Sequence, residues 1–125
     1  MASTITVTKS FDVGGEVIST VESISVGNLQ KIKEESCANG ATTTIIVSLD
    51  ASAAQAIFLK SDQAVTLTSS ANQSVALAAN AAVEWTNNEP AALKPFTDDF
   101  TSIDVNNQSG SAALVTIVLG TDVTP

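Results

Sequence analysis

Residues 98–125 read DDFTSIDVNNQSGSAALVTIVLGTDVTP and carry the clearest strand pattern in the chain. Two runs rich in β-branched and apolar residues, Phe100–Val105 and Ala112–Leu119, flank the polar segment NQSG. Such residues favour strands, whereas asparagine, serine and glycine favour turns. The pattern predicts two strands joined as a hairpin, followed by a short acidic segment that ends in proline.

Similar patterns recur along the rest of the chain. Thr4–Phe11 alternates strictly, Gly14-Gly15 supplies the backbone freedom of a tight turn, and Glu16–Val26 resumes the strand pattern. Further strands are predicted at Ile45–Leu49, Ala56–Lys60, Ala64–Thr68, Val75–Ala78 and Ala81–Trp85. Breaks at intervals of about eight to twelve residues predict an all-β fold. We expect a single antiparallel β-sandwich of about eight or nine short strands, jelly-roll-like or immunoglobulin-like.

Three segments refine this prediction. Leu29–Ser36 is compatible with a short helical turn or with an exposed edge strand, since its charges discourage edge-to-edge pairing. Asn39-Gly40 is a strong hairpin signal and favours a hairpin that leads into Ile45–Leu49, which we expect to be a central strand. Asp50–Ala54 is typical of one helical turn capped by Asp50.

Composition restricts the function. At 125 residues the chain is expected to form one domain, residues 1–125. Aromatic residues make up only 4% of it, so it would gain from burying further surface against identical copies or a larger partner. A net charge of −8, with five lysines and no arginine, disfavours nucleic acid and anionic membranes as partners. We see no secretory signal pattern and no long apolar run, and we expect synthesis in a cytoplasm.

Residues that usually carry catalysis are missing or isolated. The chain has no histidine, which rules out Ser-His-Asp and Cys-His arrangements. Cys37 is the only cysteine, and Glu34 and Glu35 beside it would raise the pKa of its thiol. No phosphate-binding or dinucleotide-binding motif is found. We therefore predict no catalytic residue and no cofactor.

One acidic cluster and one aromatic group remain as candidates. Asp98, Asp99 and Asp104 could offer oxygen ligands to calcium, but their spacing matches no known calcium loop, and solvated loop charge is the favoured reading, so no metal is predicted. Trp85 lies where a strand meets a loop and is either a core anchor or an interface residue. Phe96 and Phe100 are expected to pack beneath the same loop.

Three segments together resemble small virion structural proteins of tailed bacteriophages. They are ITVTKSF (residues 5–11), LDASAAQAIFLKSDQAVTL (49–67) and VEWTNNEPAALKPFTDDFTSIDVNNQSGSAALVTIVLGTDVTP (83–125). The shared features are a tryptophan that opens a polar loop, PFT-D before a strand, N-x-SG at a turn, and an ending like VLGTD-TP. The resemblance is best from Leu49 onward.

The resemblance implies a capsid decoration, or cement, protein with no catalytic residue. The implied partner is the major capsid protein, and the implied location is the capsid surface of the virion, after synthesis in the host cytoplasm. The resemblance also implies a homo-oligomer, with a trimer favoured. Short extended arms at residues 1–4 and 120–125 would reach a neighbour. The interface candidates are Trp85, Phe96, Phe100, Thr121, Val123 and Pro125. The alternatives are a neck or tail structural protein, or a receptor- or carbohydrate-binding module of a virion appendage.

Overall fold

Ten antiparallel strands build the protein in a computed structural model that describes residues 3–122. They are β1 (Ser3–Val13), β2 (Glu16–Val26), β3 (Asn28–Cys37), β4 (Ala41–Ile45), β5 (Ala54–Ser61), β6 (Val65–Ser69), β7 (Ser74–Leu77), β8 (Val83–Thr86), β9 (Ile103–Asn107) and β10 (Ala113–Thr121). This confirms the all-β prediction, with one or two strands more than expected. β1 and β2 form a separate two-stranded hairpin.

The other eight strands form two four-stranded sheets that pack face to face. Sheet I has the order β3-β10-β5-β8, and sheet II has the order β4-β9-β6-β7. The strand pairs of the two sheets are those of one long hairpin: β3–β10, β4–β9, β5–β8 and β6–β7. Successive pairs lie alternately in sheet I and in sheet II. This is the topology of a jelly roll, one of the two sandwich types predicted.

The core lies between the sheets and is built from small and medium side chains. Alternate residues of each strand point inward, which gives β10 and β9 their regular burial patterns. The fully buried side chains include Ile57, Leu59, Leu67, Ile103, Val105, Val115, Ile117 and Leu119. Valine, isoleucine and leucine are therefore the main packing residues of this sandwich.

The hairpin predicted at the C-terminal end is wrong. β9 and β10 are both strands, but they lie in different sheets and do not pair with each other. Asn107 is fully buried where the chain crosses between the sheets. Its side-chain amide donates to the carbonyl oxygens of Cys37 (2.9 Å) and Ser111 (2.8 Å), and its Oδ1 accepts from Ser109. These bonds stabilise a crossing in place of a two-strand hairpin turn.

The hairpin predicted at Asn39-Gly40 is also wrong. The turn exists, with Gly40 at a φ of 75°, but it leads from β3 in sheet I to β4 in sheet II. Gly40 N donates to the carbonyl oxygen of Asn107 (2.7 Å), and Gly110 N donates to Oδ1 of Asn39 (2.8 Å). The two crossings therefore lie side by side and hold each other.

Two neighbouring predictions have different outcomes. The segment Leu29–Ser36 lies within β3 at the edge of sheet I, as one of its two alternatives predicted. Ile45–Leu49 is not a central strand, because β4 ends at Ile45 and is itself an edge strand of sheet II. Ile46, just beyond β4, is 78% exposed.

The helical content is limited to single turns. Ala51–Ala53 forms the predicted turn, and Oδ1 of Asp50 caps it by accepting from Ser52 N at 3.1 Å. A second single turn spans Ala91–Leu93. In the part of the chain that the structure describes, no helix has the length and apolar character needed to cross a membrane.

Replacement of Asn107 tests the sheet crossing. Asn107→Ala leaves the carbonyl oxygen of the buried Cys37, and that of Ser111, without this donor, so we expect a loss of about 2–4 kcal/mol in the free energy of unfolding, measured with urea. The neighbouring Asn106 is exposed, and Asn106→Ala is the matched control, with an expected change within about 0.5 kcal/mol. Equal effects of the two substitutions would contradict this account.

Candidate interaction surface

The β1–β2 hairpin lies across the outer face of sheet I and continues beyond it. Its register runs from Ser3 opposite Val26 to Val13 opposite Glu16, and Gly14-Gly15 closes the turn with φ angles of 60° and 88°. The hairpin has two parts with different surroundings. The base comprises residues 3–9 and 22–26, and we call residues 10–21 the arm.

Apolar contact with β10 seats the base of the hairpin. Ile24 and Val26 are almost fully buried, and Ile5 is partly buried. Below them lies Gly120 of β10, where a Cβ atom would stand 2.7 Å from Cγ1 of Val26 and 3.0 Å from Cδ1 of Ile5. Any larger residue at position 120 would therefore push the hairpin away from sheet I.

Polar contacts fix the other end of the base beside β8, an edge strand of sheet I. Nζ of Lys9 lies 2.5 Å from Oε1 of Glu89, and Oε2 of Glu89 accepts from Thr86 N at 2.7 Å. Oγ1 of Thr86 donates to Oε2 of Glu22 at 3.1 Å. The hydrogen bond with Lys9 lowers the pKa of Glu89 and raises the pKa of Lys9. The base thus runs from β10 across to β8.

The arm extends past β8 with apolar side chains uncovered. Every residue from 10 to 21 is exposed. Paired residues share a face and successive residues alternate, so Phe11, Val13 and Ile18 stand on the same face as the buried Ile24 and Val26. Phe11 is 73% exposed. The apolar strip that is buried at the base is therefore bare along an arm about 17 Å long.

The backbone of the arm is also available for pairing. Within residues 3–122, β1 and β2 pair only with each other, so each strand leaves one edge unpaired. Proteins often protect such edges with lysine or proline, and neither occurs between residues 10 and 21. Val17 and Val21 add exposed apolar surface on the second face. In total the arm presents on the order of 500 Å² of apolar side-chain surface, the size of many functional patches.

A cleft of about 190 Å³ lies between the base of the hairpin and the outer face of sheet I. It is lined mainly by apolar groups, among them Ile5, Val7, Phe58 and Val118. Small-molecule sites usually have volumes of about 300–1,000 Å³, so this cleft is small for a ligand site. We interpret it as part of the packing between the hairpin and the sheet.

The aromatic interface candidates lie in the interior of the sandwich. Trp85 is 5% exposed, its Nε1 donates to the carbonyl oxygen of Pro90 (3.2 Å), and Nζ of Lys94 lies 5.2 Å from its ring centroid. Phe96 and Phe100 are buried, and their rings meet edge to face with centroids 5.1 Å apart. These three side chains pack the core beneath the 87–99 loop, as their sequence setting suggested.

The terminal interface candidates are placed only in part. Thr121 is buried at the end of β10 opposite Asn28. Val123 and Pro125 lie outside the described residues. Of the proposed arms at 1–4 and 120–125, Ser3 and Thr4 belong to β1, Gly120 and Thr121 belong to β10, and Asp122 N donates to the carbonyl oxygen of Ala53.

The arm itself was missed by the sequence reasoning. Alternation of apolar and polar residues predicts strands in this region, but it does not reveal whether the apolar face of those strands is covered. A signal did exist in the sequence: the strand pattern runs from Thr4 to Val26 with one break at Gly14-Gly15. In the structure β1 and β2 have 11 residues each and are the longest strands within residues 3–122. Strands longer than the sheet they cross must project from it.

The single thiol is enclosed by the sandwich. Cys37 is fully buried, and this burial is the main reason that the pKa of its thiol is raised; the charge of Glu35 adds to the effect, while a hydrogen bond with Thr43 opposes it. The predicted direction is thus confirmed, but burial contributes more than the neighbouring carboxylates.

The three aspartates make separate structural contacts. Oδ1 of Asp99 accepts from Ala51 N (2.8 Å), Oδ1 of Asp104 accepts from Oγ1 of Thr44 (2.7 Å), and Asp98 N donates to Gln73. Among residues 3–122, no three His, Cys, Asp or Glu residues are grouped so that they could hold a metal ion.

Comparison with known proteins gives no matching family model, no significantly similar curated protein and no significantly similar solved structure. The arm and the cleft are therefore interpreted from their own chemistry. The arm is the most extensive exposed apolar feature of residues 3–122, since five of the nine exposed large hydrophobic residues lie on it. A surface of this composition is suited to contact with another protein.

Gly120→Ala tests the seating of the hairpin. The new methyl group would collide with Val26, which is β-branched and buried and so has little room to move, and we expect a loss of about 1–3 kcal/mol in the free energy of unfolding. In a Val26→Ala background the same substitution should cost less than about 1 kcal/mol, because the space is then available. An unchanged cost in that background would show that the hairpin does not lie on Gly120.

The contact of Lys9 with Glu89 should make the stability of the base depend on pH. A carboxyl group with a lowered folded-state pKa contributes stability above its ordinary pKa of about 4.3 and loses it as the pH falls through the lowered value. We expect the difference in unfolding free energy between the wild type and Glu89→Gln to shrink between pH 6 and about pH 3. In a Lys9→Gln background this change should be smaller, since Lys9 is its main cause; equal changes in both backgrounds would contradict the contact.

Proposed function

We propose that this protein is a non-enzymatic virion structural protein that binds the lattice of the major capsid protein and stabilises the phage head. The observation that carries the proposal is the arm, a projecting hairpin with bare apolar side chains and unpaired strand edges. The resemblance to small virion proteins supports the choice of the major capsid protein as the partner. The jelly-roll topology is compatible with it, because viral capsid domains are among the proteins that use this fold.

The physical properties of the chain support a role in repeated protein contacts. Each arm supplies less apolar surface than the roughly 800 Å² that one partner buries in an interface of standard size. Attachment at many equivalent sites on a shell compensates for weak single contacts through a high effective concentration. The net charge of −8 disfavours adhesion to nucleic acid released during infection.

The carbohydrate-binding alternative has less support from the site geometry. Sugar sites commonly use exposed aromatic rings, and Trp85, the only tryptophan, packs in the core. Phe11 is the exposed aromatic residue of the arm, and its large apolar neighbours there are three valines and Ile18, without a cluster of converging polar groups. Specific binding of the purified protein to a glycan array would favour this alternative.

Co-sedimentation with capsid shells tests the proposed function. Shells assembled from the major capsid protein encoded with this chain should retain the wild-type protein and become more resistant to heat. The Phe11→Ser/Ile18→Ser variant should bind at least about tenfold more weakly, since buried aromatic anchors often contribute 2 kcal/mol or more. Leu93→Ser is the matched control, because Leu93 is equally exposed but lies off the arm. Wild-type protein that stays in the supernatant at saturating concentration would refute the proposal.

A further inference from the structure

Asn39 and Gly40 form the only asparagine–glycine pair in the chain. Eight asparagines occur in the sequence, and each of the other seven is followed by a residue with a side chain. Because glycine has no side chain, the amide group of a preceding asparagine can approach its main-chain nitrogen closely. Asn39 and Gly40 are both exposed, so water can reach them. The pair therefore has the composition that favours attack of the main-chain nitrogen on the side-chain amide.

This reaction is an intramolecular loss of ammonia followed by hydrolysis. The nitrogen of Gly40 gives its proton to water or hydroxide and forms a bond to Cγ of Asn39. The bond from Cγ to the side-chain nitrogen breaks, and that nitrogen takes a proton from water and leaves as ammonia. Water then opens the resulting five-membered ring at one of its two carbonyl groups. One opening gives aspartate, and the other gives isoaspartate, in which the main chain runs through Cβ and Cγ.

In the folded protein both reacting groups are held in other contacts. Gly40 N donates to the carbonyl oxygen of Asn107 at 2.7 Å, so loss of its proton would leave an anion facing the lone pairs of that oxygen. Oδ1 of Asn39 accepts from Gly110 N at 2.8 Å, and this bond resists the rotation that brings Cγ onto the Gly40 nitrogen. We call these two hydrogen bonds the clasp. A closed clasp therefore opposes the reaction at both reacting atoms.

The clasp is supported from inside the sandwich. The side chain of Asn107 is fully buried and donates to the carbonyl oxygens of Cys37 at 2.9 Å and Ser111 at 2.8 Å. Cys37 is the last residue of β3 and Ala41 is the first residue of β4, so the crossing between the sheets consists of residues 38–40 alone. A crossing this short has little freedom to open while the two sheets stay packed.

We propose that Asn39 is a site of spontaneous deamidation that is suppressed while the clasp is closed, and that its isoaspartate product prevents the clasp from closing again. The substrate is the amide of this one side chain, and the co-reactant is water. The inference goes beyond the proposed function, because both reacting groups belong to the jelly roll and neither lies on the arm.

The two products affect the clasp differently. Aspartate leaves the main chain unchanged and still offers a side-chain oxygen to Gly110 N. Isoaspartate adds one carbon atom to the main chain of a three-residue crossing. Gly40 N then cannot keep its place at the carbonyl oxygen of Asn107 while Cys37 remains bonded to the Asn107 side chain. Chains that form isoaspartate while open are therefore lost from the native population, so this chemical change makes unfolding irreversible.

Deamidation rates in folded and unfolded chains test the suppression. The wild-type protein is incubated in mildly alkaline buffer, which favours loss of the proton from the attacking nitrogen, either without denaturant or unfolded in urea. Mass spectrometry of peptides follows the replacement of the amide NH₂ by OH at residue 39. We expect the reaction to be at least about tenfold slower in the folded protein, because only its opened fraction reacts.

A pair of variants tests the clasp within the folded protein. Asn107→Ala removes the side chain that supports both crossings, and we expect Asn39 to react at least about threefold faster in it than in the wild type under folding conditions. Asn106→Ala is the matched control and should react at the wild-type rate, because Asn106 is exposed. If Asn107→Ala does not fold, the wild type in a series of urea concentrations serves instead, and its rate at Asn39 should rise with the opened fraction.

The separated products test the consequence for stability. Asn39→Asp supplies the aspartate form and should unfold at nearly the same urea concentration as the wild type. The isoaspartate form, isolated by chromatography after reaction in urea, should refold only to a state with a lower urea midpoint. The comparison separates the effect of the added main-chain carbon from that of the added negative charge, which both products share.

Any of four results would overturn the inference. They are equal rates in folded and unfolded chains, an unfolded chain in which another asparagine reacts faster than Asn39, an Asn107→Ala variant or urea series with no acceleration, and an isoaspartate form with the wild-type midpoint. Neither a capsid protein nor the arm takes part in these measurements. Failure to bind shells therefore leaves this inference intact, and absence of deamidation leaves the proposed function intact.

Discussion

The close approach of the hairpin to Gly120 is the contact on which the position of the arm, and so the interaction surface of the molecule, depends. Position 120 has no side chain, so Val26 and Ile5 can lie directly on β10 and the apolar base of the hairpin is buried on sheet I. Lys9 and Glu89 fix the same base at β8. The direction of the arm follows from these two anchors, because a two-stranded ribbon held at one end continues along its own axis.

In this arrangement the buried core and the exposed apolar surface belong to different parts of the molecule. The jelly roll has its own core, in which Trp85 and Phe96 are buried. Two crossings between the sheets close this core, and there Asn107 and Gly40 form hydrogen bonds with the neighbouring turn. The arm contributes little to that core. Its apolar residues are costly to leave in water, and an interaction with another protein surface would remove this cost.

Much of the fold could be predicted from the sequence, because alternation along β1, β2 and β10 and the turn residues between strands are local signals. Pairing between strands was harder to predict. Asn39-Gly40 and the 107–111 segment form turns, but the buried amide of Asn107 links them to each other across the sandwich, and no local pattern reveals such a contact. The arm was missed for a similar reason, since the exposure of Phe11 and Ile18 depends on where sheet I ends.

Hydrogen exchange on the assembled protein tests most directly whether the arm is a contact surface. Amide protection should be compared, peptide by peptide, between dilute monomer and the assembled state, either self-associated or bound to shells. We expect the largest gain in protection within residues 10–21, because docking covers the unpaired edges of β1 and β2. Assembly that protects other surfaces and leaves residues 10–21 exchanging as in the monomer would contradict this account.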